Sequence, residues 1–385
     1  MEFDVVIVGG GLVGASLAAA LKNSGLSLAL VEGQPATFSH EGWDPRVYAI
    51  TPGNVEFLKQ CGSWQRQDMA RIQPVEAMRV FGDDNSELEF SAYEIGAPEL
   101  TFILENRLMQ EALWETIRDQ DNLTLFNPAR CAKLDLAFDA ATLTLDDGRE
   151  LRAKLIVGAD GRDSWVRKQA GMDAAPTPYQ QHGVVANFRC EKPHRGVAYQ
   201  WFRPDSILAY LPLPQNMMSM VWSVLPEKSA ELLKLSPETL CAQVAEAGHH
   251  TLGGLELVTP AASFALRILR LPHIAKARLA LVGDAAHNVH PLAGQGVNLG
   301  FRDARELAQV LLNRGPQPDC GDPHLLRRYD RARQEDIYSM LTTTNTLKNL
   351  FCNDDRWLSK ARNLGLAATN RVTPIKRMLA KHALI

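Results

Sequence analysis

The stretch Val5-Val6-Ile7-Val8-Gly9-Gly10-Gly11-Leu12-Val13-Gly14 constrains this chain more than any other. An apolar strand runs straight into G-x-G-x-x-G, and Leu17, Ala18, Ala19 and Leu21 follow at helical spacing. A second short strand, Leu28-Ala29-Leu30-Val31, closes on Glu32, about 20 residues beyond the glycines. This is the pattern of a βαβ unit that holds a dinucleotide. Gly9 permits the tight turn, Gly11 lets a pyrophosphate approach the backbone, and Gly14 lets the helix pack on the strand; Leu12 and Val13 complete the phosphate-facing loop. The free N–H groups and positive end of the helix meet the phosphates. Glu32 is placed to accept both hydroxyls of an adenosine ribose, which argues against a 2′-phosphate there. The fingerprint alone does not separate NAD from FAD.

With 385 residues the chain exceeds what one hydrophobic core serves, roughly 250–300 residues, so two interlocked domains are expected. Hydrophobic residues at 46% and charged residues at 22% are ordinary globular usage, which excludes disordered, collagen-like and coiled-coil classes. A net charge of −3 is too balanced for a phosphate-tracking protein, and no nucleic-acid partner is expected. The six cysteines stand singly, as reduced thiols do. No signal peptide is evident at the N-terminus, and no apolar run of about 18 residues occurs, so a cytoplasmic protein with at most a peripheral membrane contact is expected.

Further along, Asn106–Arg118 has one apolar helical face, and Asp146-Asp147-Gly148 separates two strand-like runs as a hairpin would. Between Gln181 and about Leu271 the texture changes to alternating apolar and aromatic strands: Val184–Cys190, Val197–Phe202, Leu208–Leu213 and Met218–Val224. They read as an antiparallel meander. A parallel-type strand, Leu279–Val282, and a helix from about Gly296 through Leu312 follow, and Gly315–Pro323 reads as a linker. The expected fold class is α/β, a Rossmann-like dinucleotide domain with an inserted antiparallel β-sheet domain and a helical C-terminus. The dinucleotide domain takes 1–72, 98–180 and 272–350, the inserted substrate domain 73–97 and 181–271, and a basic helical segment 351–385.

Two more motifs identify the nucleotide. Gly158-Ala159-Asp160-Gly161-Arg162-Asp163-Ser164-Trp165-Val166-Arg167 follows an apolar strand, and Gly283-Asp284-Ala285-Ala286-His287-Asn288-Val289-His290-Pro291-Leu292-Ala293-Gly294-Gln295-Gly296-Val297-Asn298-Leu299-Gly300 comes later. Together the three motifs resemble the single-component FAD-dependent aromatic monooxygenases, the class of p-hydroxybenzoate hydroxylase, and in particular the ubiquinone-biosynthesis hydroxylases of bacteria. The resemblance runs from about Phe3 to Phe351 and implies a glutathione-reductase-type fold with non-covalent FAD. It assigns a ribityl hydroxyl to Asp284, a place beside the flavin ring to Pro291, Gly294, Gln295 and Gly296, and cofactor contacts to Val297 and Asn298. Asp160 matches a position implicated in contacts to FAD and the nicotinamide donor; a helix cap is its other reading. Arg46, in Asp44-Pro45-Arg46, resembles an arginine that approaches the flavin, and Arg107 a cofactor-contacting position; surface ion pairs are the alternative for both.

By this resemblance reduced FAD reacts with molecular oxygen to give a C4a-hydroperoxide that transfers one oxygen to an electron-rich ring, so no protein acid, base or nucleophile is assigned. NAD(P)H is the expected transient donor, and a polyprenylated phenol or quinol is favoured over a small aromatic acid. Other quinone-biosynthesis proteins are possible partners. A flavin-dependent isoprenoid or quinone reductase and a non-catalytic flavin-binding subunit remain the competing readings. The departure at Asp205-Ser206-Ile207, where the family often carries Gly-Pro, leaves the ring position open. Of Tyr199, Trp201, Phe202, Tyr210 and Trp222, at most two are assigned to the substrate. His287 and His290 lack a third ligand at metal spacing, and no metal is expected. After Asp355 the chain carries Arg356, Lys360, Arg362, Arg371, Lys376, Arg377 and Lys381 and no acid, which suggests either helices packed on the fold or a contact with anionic lipid or an acidic partner.

Overall fold

Strands that are apolar on both faces need cover on both sides, and the four-residue runs of the first βαβ unit meet that need at the centre of a parallel sheet. The computed structural model describes residues 1–39, 41–82, 86–172, 174–289, 294–315 and 319–351. Strand Glu2–Val8 lies between Leu28–Val31 and Glu150–Gly158, parallel to both. Leu123–Phe126 extends the sheet on one side and Leu279–Leu281 on the other, each again parallel. Ala141–Leu145 pairs antiparallel with the start of Glu150–Gly158, forming the hairpin that the Asp-Asp-Gly turn implies. Helices Leu12–Ala20, Asn106–Ile117 and Gln295–Leu312 cover this sheet, and a 29-residue helix, Pro323–Phe351, packs on the last of them.

A second sheet of nine strands holds the alternating segments. Val197–Phe202, Ile207–Leu213 and Met217–Val224 are consecutive antiparallel neighbours. The meander ends there: Thr177–Cys190 lies beside Met217–Val224 instead of Val197–Phe202, with Ala262–Arg270 on its other edge. That exchange gives the long strand a hydrogen-bonding neighbour on each side. It also frees Val197–Phe202 to pair, in parallel, with Ala77–Phe81, which arrives from far earlier in the chain. Strand alternation then sorts the side chains by face. Tyr199, Trp201, Tyr210 and Trp222 point to one face and pack against Leu232, Leu240 and Val244 of two covering helices, Pro226–Leu232 and Pro237–Ala247. Ala198, Gln200, Ala209, Leu211 and Val221 turn to the other face, toward the glycine loop. Val47–Ile50, Thr101–Glu105 and Gln73–Val75 form a small third sheet at the join.

A buried ion network ties the Gly283-Asp284 turn to the helical layer. Asp303, fully buried, accepts the Gly283 N–H at 2.9 Å and bonds His287 Nε2 at 2.6 Å, while its other oxygen accepts Arg333 Nε at 2.7 Å. Asp336 in turn accepts from Arg333 and Arg302. Burial alone would raise the Asp303 carboxyl, but His287 and Arg333 more than offset it and hold it below its usual value.

Asp303→Asn is expected to lose roughly 3–5 kcal/mol of folding stability at pH 7, measured by urea denaturation, because a buried ion network is then broken from one side. The folded-state value of this acid lies below the unfolded one, so its contribution is full above about pH 4 and is lost as pH falls through the folded value. The gap between wild type and variant should therefore shrink in acid; a gap constant down to pH 3 would contradict this.

Candidate functional site

A cavity of about 820 Å³ separates the two large sheets, with the glycine loop at one end. The three glycines of the fingerprint do different work. Gly9 has φ +107°, and a Cβ there would stand 2.4 Å from the Ala159 carbonyl oxygen; a Cβ on Gly14 would stand 1.9 Å from that of Gly9. Gly11 faces open space, with nothing within 4 Å of where its Cβ would be. Gly11 is also the N-cap of helix Leu12–Ala20, which has neither a side-chain cap nor an acid in its first turn. Its end is therefore free to meet an anion. Gly11, Leu12 and Val13 line the cavity. The indole of Trp114 donates to the Gly10 carbonyl at 2.8 Å and braces the loop from behind. Glu32 lies outside the cavity wall, where its carboxylate accepts the N–H groups of Gly10 and Gln34 at 2.7 and 2.8 Å.

Asp284 stands on the cavity wall at the carboxyl edge of the parallel sheet, and its carboxylate accepts no hydrogen bond from the described residues. Solvent reaches it through the open groove, yet the surrounding walls desolvate it. That raises its carboxyl above the usual range against the pull of His287, Arg162, Arg46 and Arg267. Gly294, in the left-handed region at φ +64°, begins an 18-residue helix with no side-chain cap, and Gly294, Gly296 and Val297 line the cavity. Gln295 opens the first turn between them. Asn298 is spent inside the protein: its Oδ1 accepts from Thr51 N and Asn54 Nδ2, and its Nδ2 donates to the Ala49 and Gly294 carbonyls. It locks the first turn of that helix to Val47–Ile50. Pro291 and His290 lie outside the described residues, as does the chain beyond 351.

The Asp160 carboxylate caps the helix Trp165–Gln169, accepting from Ser164 Oγ at 2.5 Å and Val166 N at 3.0 Å. Ala159, Gly161 and Arg162 present the same loop to the cavity. Arg167, 3% exposed, donates to the Ala285 carbonyl at 3.0 Å and so joins this loop to the turn holding Asp284. Arg107 is a clamp: its guanidinium donates to the Glu41 and Gly42 carbonyls, and its N–H to Asp44. Buried Glu105 accepts from Asp44 N at 2.7 Å and pairs with Arg71 at 2.6 Å. These bonds fix the loop that carries Arg46, an exposed residue at the cavity wall with no ion-pair partner among the described residues. Tyr48, two residues on, also lines the cavity, and burial pushes its phenol up so that it stays protonated.

Of the five aromatics considered for the substrate, Tyr199 alone reaches the cavity; Trp201, Phe202, Tyr210 and Trp222 are core. That agrees with assigning at most two of them to the substrate, and Val185, Ile207, Ala209, Leu211 and Val221 make up much of the wall. Tyr48, Gln200, Ser223 and Arg162 escaped the sequence reading as wall residues, although strand alternation against the aromatics carries the signal for Gln200 and Ser223. Among the described residues no cluster of His, Cys, Asp and Glu could hold a metal, and no helix is long and apolar enough to cross a membrane.

Residues 2–344 match the family described as FAD binding domain. The chain is 37% identical to ubiquinone hydroxylase UbiL of Rhodospirillum rubrum, covering 99% of this chain and 89% of that protein. It is 35% identical to 3-demethoxyubiquinol 3-hydroxylase of Escherichia coli, covering 99% and 98%. Its fold is that of p-nitrophenol 4-monooxygenase PnpA from Pseudomonas putida, with a TM-score of 0.81, 18% identity, and coverage of 100% of this chain and 98% of that one. The open backbone at Gly11, the two helix ends without side-chain caps and the Asp284 carboxylate, unpartnered among the described residues, fit FAD.

Gly11→Ala is expected to fold as the wild type does and to bind FAD at least about tenfold more weakly, since its methyl enters only ligand space, whereas Gly14→Ala should lose stability by about 1–3 kcal/mol or more through overpacking. Melting curves of the apo-proteins and FAD titrations separate the two; equal melting temperatures would refute the packing assignment. Asp284→Ala should weaken FAD binding by about ten- to a hundredfold, the range for a charged hydrogen bond. Its raised carboxyl means that the folded chain disfavours the charge at pH 7, so the apo-variant should melt no lower than wild type. A lower melting point with unchanged FAD affinity would make Asp284 structural.

Proposed function

The chain belongs to the FAD binding domain family, and from that membership we propose that it is an FAD-dependent monooxygenase that hydroxylates the aromatic ring of a polyprenylated phenol or quinol precursor in ubiquinone biosynthesis. The observation that carries the reading is the composition of the cavity. One bank consists of cofactor-motif residues, among them Gly11, Gly161, Asp284 and Gly296, and the other of a mostly aliphatic sheet face. A flat ring therefore has room between a cofactor and a surface that supplies no charge from Val185, Ile207, Ala209, Leu211 or Val221. The aliphatic members of that bank support a prenylated ring, whose chain needs apolar cover, while Arg46, Arg162 and Arg267 also line the cavity.

When bound, FAD supplies the electron storage and the activation of dioxygen. The protein's own residues do the rest. Gly11 and the helix end behind it bind phosphates, Asp284 holds a hydroxyl, and the uncapped helix at Gly294 offers its positive end to developing negative charge. The aliphatic bank excludes water from the reacting ring. A transient nicotinamide donor belongs to the same proposal, with Arg46 and Arg162 among the guanidinium groups that line the cavity. So do a peripheral contact with the bilayer that stores such substrates and contacts with other enzymes of quinone synthesis.

With purified holoenzyme, a prenylated phenol and labelled dioxygen, the hydroxylated product should carry one labelled oxygen by mass spectrometry, and water should contribute none. Product labelled from water would overturn the monooxygenase reading, and reduction without oxygen incorporation would favour a flavin-dependent reductase.

A further inference from the structure

The aliphatic bank carries two polar side chains that the sheet itself does not use. Gln200 is 4% exposed and lines the cavity, between Ala198 and Phe202 on the face opposite the Tyr199–Trp201 stack. Its amide has no hydrogen-bond partner among the described residues and opens on the cavity. In register it faces Ala209, which faces Val221, which faces Val185: a cross-strand row that is apolar except at its first member. Ser223, also 4% exposed and on the cavity wall, lies one pair along, opposite Ile207, and its hydroxyl likewise has no partner among the described residues. With no bond to the protein, the amide is left to whatever occupies the cavity. Its position suits a ligand that brings its own polar atom into an otherwise apolar wall.

Resting on the function proposed above, we infer that Gln200, assisted by Ser223, is the substrate-orienting side chain, reading an oxygen substituent of the aromatic ring. The primary amide can accept from a phenolic hydroxyl through Oε1 and donate to its oxygen through Nε2, which neither an ether nor a bare ring can fully match. By fixing that oxygen at one end of the row, it fixes which ring carbon is turned to the motif bank. Two neighbouring strands stand about 4.8 Å apart, so Ser223, two strands away, meets a different substituent on the same ring or its immediate flank.

The test uses FAD-reconstituted full-length protein, with 2-prenylphenol and its methyl ether as probes, binding being read from perturbation of the flavin spectrum. Wild type should prefer the phenol by about tenfold. Gln200→Leu should bind the phenol about tenfold more weakly and the ether unchanged, while retaining FAD, melting no lower than wild type, and releasing more peroxide per turnover with the phenol. Gln200→Met serves the same purpose should the leucine variant fail to hold FAD. A Gln200 variant that keeps FAD and the wild-type phenol-to-ether ratio overturns the assignment of Gln200 alone. Wild-type holoenzyme that binds neither probe overturns the functional reading on which it rests.

Discussion

A methyl group has no room at Gly14, because a Cβ there would lie 1.9 Å from the carbonyl oxygen of Gly9, nor at Gly9, whose Cβ would meet Ala159. Those two contacts press helix Leu12–Ala20 and the loop after Glu150–Gly158 onto the end of strand Glu2–Val8. Everything at the cavity follows from that closeness. The uncapped helix end sits at the carboxyl edge of the parallel sheet, where α/β folds gather ligands. Arg167 then carries the Ala159–Arg162 loop to the Asp284 turn through the Ala285 carbonyl, and Asp303 holds that turn from the helical side.

The opposite bank has a different logic. A strand shows two faces, and this sheet spends most of its aromatics on its own helices and mainly small, aliphatic and polar side chains on the cavity, Tyr199 and Phe264 being its aromatics there. Large rings on the cavity face would fill the space a substrate needs. The loop holding Arg46 bridges the two banks, since Glu105 at the end of the third sheet and Arg107 of the adjoining helix bind its Asp44 while Asn187 of the second sheet donates to the Asp44 carbonyl.

Much of this was legible from residues alone because close backbone approach leaves a mark: only glycine fits at positions 9 and 14, and an unbranched acid directly after a strand, as at Asp284, has few other uses there. The parallel strands and the hairpin were readable for a similar reason, as periodicity and turn chemistry are local. Strand order in the second sheet was not, since pairing Thr177–Cys190 with Met217–Val224 depends on residues far apart in the chain. Which face of that sheet meets the cavity depends on where the two covering helices land, and so Gln200 and Ser223 were not legible as wall residues. Asp160, Arg107 and Asn298 show the same limit: their motifs are real, but hydrogen bonds to Ser164, to the Glu41–Gly42 carbonyls and to Thr51 use their side chains to build the site's walls.

The central claim is that the three motifs form one site for one non-covalent FAD. Titration of acid-stripped apo-protein with FAD, followed by fluorescence quenching and by the stoichiometry of flavin released on denaturation, tests it most directly. Saturation at one FAD per chain, with all flavin released by denaturation and no comparable binding of NAD, is the predicted result. A chain that refolds yet takes up no FAD, or that retains flavin after denaturation, would contradict it.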